Sequence, residues 1–143
     1  MQVPSETLLS SLQETVRTVL ETMFFSTAEP VECCHGNPSI AARLAFRGDP
    51  SGELVVTVSH DLAQALAAGF LGVDFEEVTA EAERNIVCEL ANMICGAVLS
   101  HLHPDAVVAL DSPHCAEPDF PAGGAHQCFA APEGMLAVTM SIR

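Results

Sequence analysis

The sequence is poor in positive charge. Five basic residues stand against 19 Asp and Glu, a formal charge of -14 over 143 residues. Nucleic acids and anionic membranes are bound through clustered Lys and Arg, so neither partner fits this balance. No apolar stretch approaches the ~20 residues that span a bilayer. The longest, Leu62 to Val73, is interrupted by Gln64. The N-terminus lacks the basic-then-apolar layout of a signal peptide, which sets the expectation of a cytoplasmic protein. No Cys-x-x-Cys pair exists among Cys33, Cys34, Cys88, Cys95, Cys115 and Cys128. Disulfide scaffolds are normally shorter and less apolar, so the six are expected as reduced thiols packed like small hydrophobes. What is abundant is apolar surface: 49% hydrophobic residues and a mean hydropathy of +0.32. That suits a single domain over 1–143 with a sizeable core.

Residues 5–25 predict an amphipathic helix, with Leu8, Leu9, Leu12, Val16, Val19, Leu20 and Met23 at three- and four-residue spacing. Pro4 and Ser5 mark its start, and Glu29-Pro30 breaks the pattern. Val31 to Cys34 is a candidate strand. Ile40 to Arg47 alternates Ala42, Leu44 and Phe46 with outward residues, the period of a half-buried strand. The turn signal Gly48-Asp49-Pro50-Ser51-Gly52 then returns Leu54 to Val58 as a hairpin. Ser59 caps a short helix over 60–71, closed by Gly72. The acidic linker with Asp74, Glu76 and Glu77 reads as a solvated loop. Thr79 caps a long helix running to about His103, where Pro104 stops it. Asp105 to Leu110, Gln127 to Ala131 and Met135 to Ile142 read as three more strands. The class is α+β: a largely antiparallel sheet covered by two long helices and one short helix. Helix plus three strands occurs twice in order, which suggests a pseudo-twofold structural repeat without residue identity.

The long second helix carries the informative residues. At about 100° per residue, Asn85, Glu89, Asn92 and Gly96 fall within roughly 60° of one another around its axis. Ser100 and His103 extend this stripe, while Ile86, Leu90, Ile94, Ala97 and Val98 occupy the core side. Glu89 and Asn92 are neighbours at i and i+3. A carboxylate there can pair with a cation on a partner, and the amide can orient a water. Gly96 costs the helix about 0.5–1 kcal/mol relative to alanine and leaves a bare turn where another protein can approach. A plain solvated helix face is the alternative reading of the same spacing.

The run Glu89-Leu90-Ala91-Asn92-Met93-Ile94-Cys95-Gly96, with Leu99 and Leu102 beyond, resembles the signature helix of the CheC/CheX chemotaxis phosphatases, and most closely CheX. Thr22-Met23-Phe24-Phe25, the Gly52 to Val58 strand and the Ala-Leu-rich short helix follow in the family's order. Asn85 stands where the family commonly has Asp or Ser. The resemblance implies a phosphatase for the aspartyl phosphate of a CheY-like response regulator. Glu89 would dock on the regulator's lysine, and Asn92 would hold the attacking water. Asn85 and Gly96 would contact the partner. The Mg²⁺ would belong to the regulator, with no cofactor or metal held by this chain. CheC-type members often carry a second Glu-x-x-Asn on helix one. Here Glu14 precedes Arg17 and Glu21 precedes Phe24, so the resemblance implies one site per chain, in a homodimer. The alternative is a non-catalytic CheX-like interaction module using the same stripe.

Other pairs offer less. Cys33-Cys34-His35, His101-x-His103 and His114-Cys115 invite a metal- or redox-responsive reading. Zinc needs three or four converging ligands, and adjacent strand residues point to opposite faces. His60 before Asp61 is an ordinary helix-start residue.

Overall fold

Stretches with period-two apolar spacing form one sheet, and those with helical spacing pack on one side of it. The computed structural model describes residues 4–32, 39–116 and 124–143. In chain order these are α1 (Ser5–Phe24), β1 (Glu29–Val31), β2 (Ser39–Gly48), β3 (Gly52–Ser59), α2 (His60–Leu71), a 3₁₀ turn (Phe75–Glu77), α3 (Ala80–Leu102), β4 (Val108–Leu110), β5 (His114–Ala116), β6 (Ala125–Ala131) and β7 (Gly134–Ile142). The described pairings are all antiparallel, in the order β1-β6-β7-β3-β2-β4, with β5 also on β2. This is the expected α+β architecture. The order is symmetric about the β3–β7 pair: each half contributes a central hairpin, and each sends an earlier short strand to the edge of the other's hairpin.

Register explains the core. Val56 lies between Ala42 and Val138, and Leu54 between Leu44 and Met140, so these side chains share one face. That face packs against Leu12, Val16 and Leu20 of α1, Leu62 and Leu66 of α2, and Leu90, Ile94 and Val98 of α3. Each such side chain, when fully buried, contributes about 1.5–3 kcal/mol of transfer free energy. The opposite face is more polar. Arg43 Nη1 there donates to Glu53 Oε2 at 2.9 Å, and His126 Nδ1 lies 2.6 Å from Thr139 Oγ1. Gly52 is required by closeness: a Cβ there would stand 2.0 Å from the Ser141 carbonyl oxygen.

Several boundaries differ from the sequence reading. The first strand begins at Glu29, inside the expected break, because β1 is an edge strand and tolerates Pro30. Cys33 and Cys34, the end of the expected strand, lie outside the described residues. Only Val108–Leu110 of Asp105 to Leu110 is strand, since Ala106 N–H bonds the His103 carbonyl in a turn after α3. β5 was not expected at all. It shares the outer edge of β2 with β4, each pairing with a different stretch. Among the described residues the second half therefore has four strands, and β4 and β5 together take the place that β1 holds on the other edge. The acidic linker holds a 3₁₀ turn closed by a capping box between Asp74 and Glu77.

Two expectations from composition are corrected. α3 is long and apolar enough to cross a bilayer by length and composition. Contiguous apolar runs miss it because Glu89 and Asn92 interrupt them; its apolar side is spent on the sheet. Cys88, Cys95 and Cys115 are free, but Cys128 is disulfide-bonded. Spacing along the chain does not encode which sulfur the fold brings beside β6.

Candidate functional site

α3 is positioned at both ends and along one side. Thr79 Oγ1 accepts the Ala82 N–H at 3.0 Å, an N-cap worth about 1 kcal/mol. His103 closes the other end through its N–H to the Leu99 carbonyl, and Pro104 follows. Ile86, Leu90, Ile94 and Val98 are buried as expected, together with Val87, Ala91, Cys95 and Leu99. That broad apolar side fixes the rotation of the helix. The remaining stripe faces out: Asn85, Glu89 and Asn92 are exposed and Gly96 is half-buried. A Cβ built on Gly96 would meet nothing within 4 Å. All four residues singled out by spacing therefore lie on one accessible strip.

Ala97 departs from expectation. It is exposed, lining with Thr15, Thr18 and His101 a groove of about 160 Å³ between α1 and α3. The cause is its place at the margin of the apolar arc, where α1 leaves a gap. His101 Nδ1 lies 3.1 Å from Ser11 Oγ, so this ring is engaged across the two helices. His60, at the start of α2, brings Nδ1 to 2.6 Å from Oε1 of the buried Glu83. Among the described residues, no group of three His, Cys, Asp or Glu converges as a metal site. The Cys33-Cys34-His35 run lies outside them.

One part of the site was not read from sequence. A groove of about 140 Å³ runs beside Glu89, between Phe70 and Leu71 of α2 and Asn85 and Ile86 of α3. Phe70 is 49% and Leu71 55% exposed, which makes an apolar shoulder continuous with the polar stripe. The Phe24 ring supports Phe70, with centroids 5.9 Å apart. Two large apolar residues directly before the helix-ending Gly72 were the available signal. On the other margin of the stripe stands Cys88, half-buried, while Cys115 on β5 is exposed. Burial, with Cys115 and Glu89 adding to it, pushes the Cys88 thiol up to about 11.

The arrangement offers an incoming protein an exposed carboxylate, an exposed amide one turn further, and an apolar shoulder. Among the described residues Glu89 has no ion-pair partner, so its carboxylate is available to an external cation. An uncharged amide beside it can enter a negatively charged pocket without repulsion.

Over residues 40–118, more than half of the chain, the sequence matches the family described as chemotaxis phosphatase CheX. A search of curated proteins finds no match. Among solved structures, chemotaxis protein CheX from Vibrio vulnificus is similar with a TM-score of 0.78 at 14% identity, over 99% of this chain and 100% of that one. A CheX from Desulfovibrio desulfuricans is similar at 0.73 and 18% identity, over 96% and 99% of the two chains. A third likeness, at 0.70 and 15% identity over 99% of each chain, is to a protein of the CheX–CheY–BeF₃–Mg²⁺ complex from Borrelia burgdorferi. The family match spans the helix that carries Glu89 and Asn92, and the solved structures share the whole fold around it: the chain belongs to the CheX family of chemotaxis phosphatases.

Proposed function

We propose that this protein dephosphorylates the aspartyl phosphate of a CheY-like receiver domain, with Glu89 and Asn92 as its working pair. The observation that carries the reading is the pair itself: a carboxylate and an amide one turn apart, both exposed, on a helix held by the core of a CheX-family chain. The solved complex of the Borrelia burgdorferi relative with CheY, BeF₃ and Mg²⁺ supports the choice of partner.

The receiver brings the phosphoryl group, its Mg²⁺ and a lysine. Glu89 pairs with that lysine and sets the angle at which α3 meets the pocket. Asn92 then enters beside the phosphoryl group, and its side-chain carbonyl accepts a hydrogen bond from a water held in line with phosphorus. Phosphoryl transfer asks chiefly for such positioning and for charge compatibility, with little covalent work from the protein. A carboxylate at residue 92 would add negative charge next to the phosphoryl oxygens, and the amide does not. Asn85 and Gly96 extend the contact along the helix, above and below the pair.

The test is the decay of an aspartyl-phosphorylated receiver with the wild type, Asn92→Ala and Glu89→Ala. Loss of one positioning group of this kind costs about 100-fold or more in kcat. Asn92→Ala is therefore expected to lose turnover while still binding. Glu89→Ala is expected to raise KM as well, because the receiver lysine loses its partner. Wild-type protein that binds the receiver without accelerating decay would instead establish a non-catalytic interaction module.

A further inference from the structure

Phe25 is held where it gains nothing within this chain. It ends α1 in the left-handed conformation, at φ 52°, and is the one non-glycine residue with positive φ among the described residues. That conformation crowds a bulky side chain and is normally left to glycine or asparagine. The ring is also 92% exposed, so no packing inside the fold offsets the strain or the hydration of its apolar surface. It does not stand alone. Four of the six large apolar side chains exposed among the described residues, Met23, Phe25, Phe70 and Leu71, sit at the ends of α1 and α2. The Phe24–Phe70 ring pair holds those two ends together, and Phe70 and Leu71 line the groove that reaches Glu89. The apolar ground therefore extends from the end of α1 to the polar stripe.

Charge around this ground selects the occupant. Glu21 lies one turn before Phe25, Asp74 shortly after Leu71, and Glu89 in the groove, all three exposed. In a twofold pairing of two copies the patch meets itself, and these carboxylates would be brought together. A face that sets apolar side chains beside a lysine matches both the rings and the acids. We propose that Phe25 is a docking residue for the receiver domain, its ring taking apolar side chains on the receiver face whose lysine reaches Glu89. The inference rests on the proposed function for its partner, and adds a contact from a different helix than the one bearing the working pair. A single aromatic side chain desolvated by a partner in this way can carry a large share of an interface's affinity.

The test is titration of the full chain with a CheY-like receiver carrying beryllofluoride and Mg²⁺, beside thermal melts and phosphoreceiver decay. Phe25→Asn suits the left-handed backbone, so Tm should equal or exceed that of the wild type while Kd rises about tenfold. Phe25→Tyr keeps the aromatic body and should return Kd close to the wild-type value, with kcat unchanged in both variants. Unchanged Kd for Phe25→Asn would overturn the proposal; with Asn92→Ala inactive, the phosphatase reading would still stand. Binding without accelerated decay by the wild type would end the phosphatase reading alone, since the Kd comparison still decides the docking. A lowered Tm for both Phe25→Asn and Phe25→Gly would show the ring packing within this chain and overturn the proposal. So would a wild-type dimer that Phe25→Asn splits while Kd for the receiver stays the same.

Discussion

A methyl group added at residue 96 would meet open space within this chain. Gly96→Ala should therefore stabilise α3 by about 0.5–1 kcal/mol, visible as a raised Tm. If a receiver packs against the bare turn, the same change lowers the dephosphorylation rate. A variant that is more stable and fully active would remove Gly96 from the contact surface. Cys95 has a different signature. Burial pushes its thiol from 9.0 up to about 12. Below pH 9 the thiol is protonated in both folded and unfolded chains, and its contribution to stability is complete. As pH rises from 9 toward 12 the unfolded chain releases its proton first, so stability falls, by on the order of a few kcal/mol at the upper end. The sequence contains no Lys or Tyr, so thiols dominate side-chain titration in this window. Urea midpoints measured stepwise from pH 8.5 upward (roughly the thiol range) should decline less steeply for Cys95→Ala than for wild type. Equal slopes would place the alkaline loss elsewhere.

Among elements, α3 is the most legible in the sequence. Thr79 and Pro104 bound it, and a helical period with one polar stripe shows which side faces out. The hairpin of β2 and β3 is legible for a similar reason, since Ala42, Leu44 and Phe46 alternate ahead of a dense turn signal. β5 is not: three residues beside Pro113 carry no period, and only the length of β2 makes room for them. The apolar shoulder beside Glu89 is equally hidden. Leu71 reads as the last residue of a buried helix face, but the end of α2 overhangs the core and leaves it 55% exposed. Leu71→Ser removes exposed apolar surface and little packing, so Tm should shift little, within the range of ordinary surface substitutions. Receiver binding should weaken, read as a raised KM with kcat near wild type. Unchanged KM would separate the shoulder from the docking surface.

Across the whole molecule, charge and topology set conditions that no single element reveals. A net charge of -14 opposes approach to an acidic phosphoacceptor pocket. Under the proposed function, docking then rests on local contacts such as Glu89 with a lysine. Association with the receiver should be slower at low ionic strength and should quicken as moderate salt screens the repulsion. Stopped-flow association that accelerates at low salt would contradict this picture. The order of the sheet could not be read from sequence, because its central pairing joins Val56 to Val138 from opposite halves of the chain. That pairing has a consequence for how the protein is made. β3 emerges early in synthesis, yet the partner that covers its second edge is the last strand in chain order. Until β7 is released, the Leu54, Val55, Val56 and Val58 edge is open to any passing strand. The nascent chain therefore waits with an apolar central strand half-paired, and the centre of the fold is completed last.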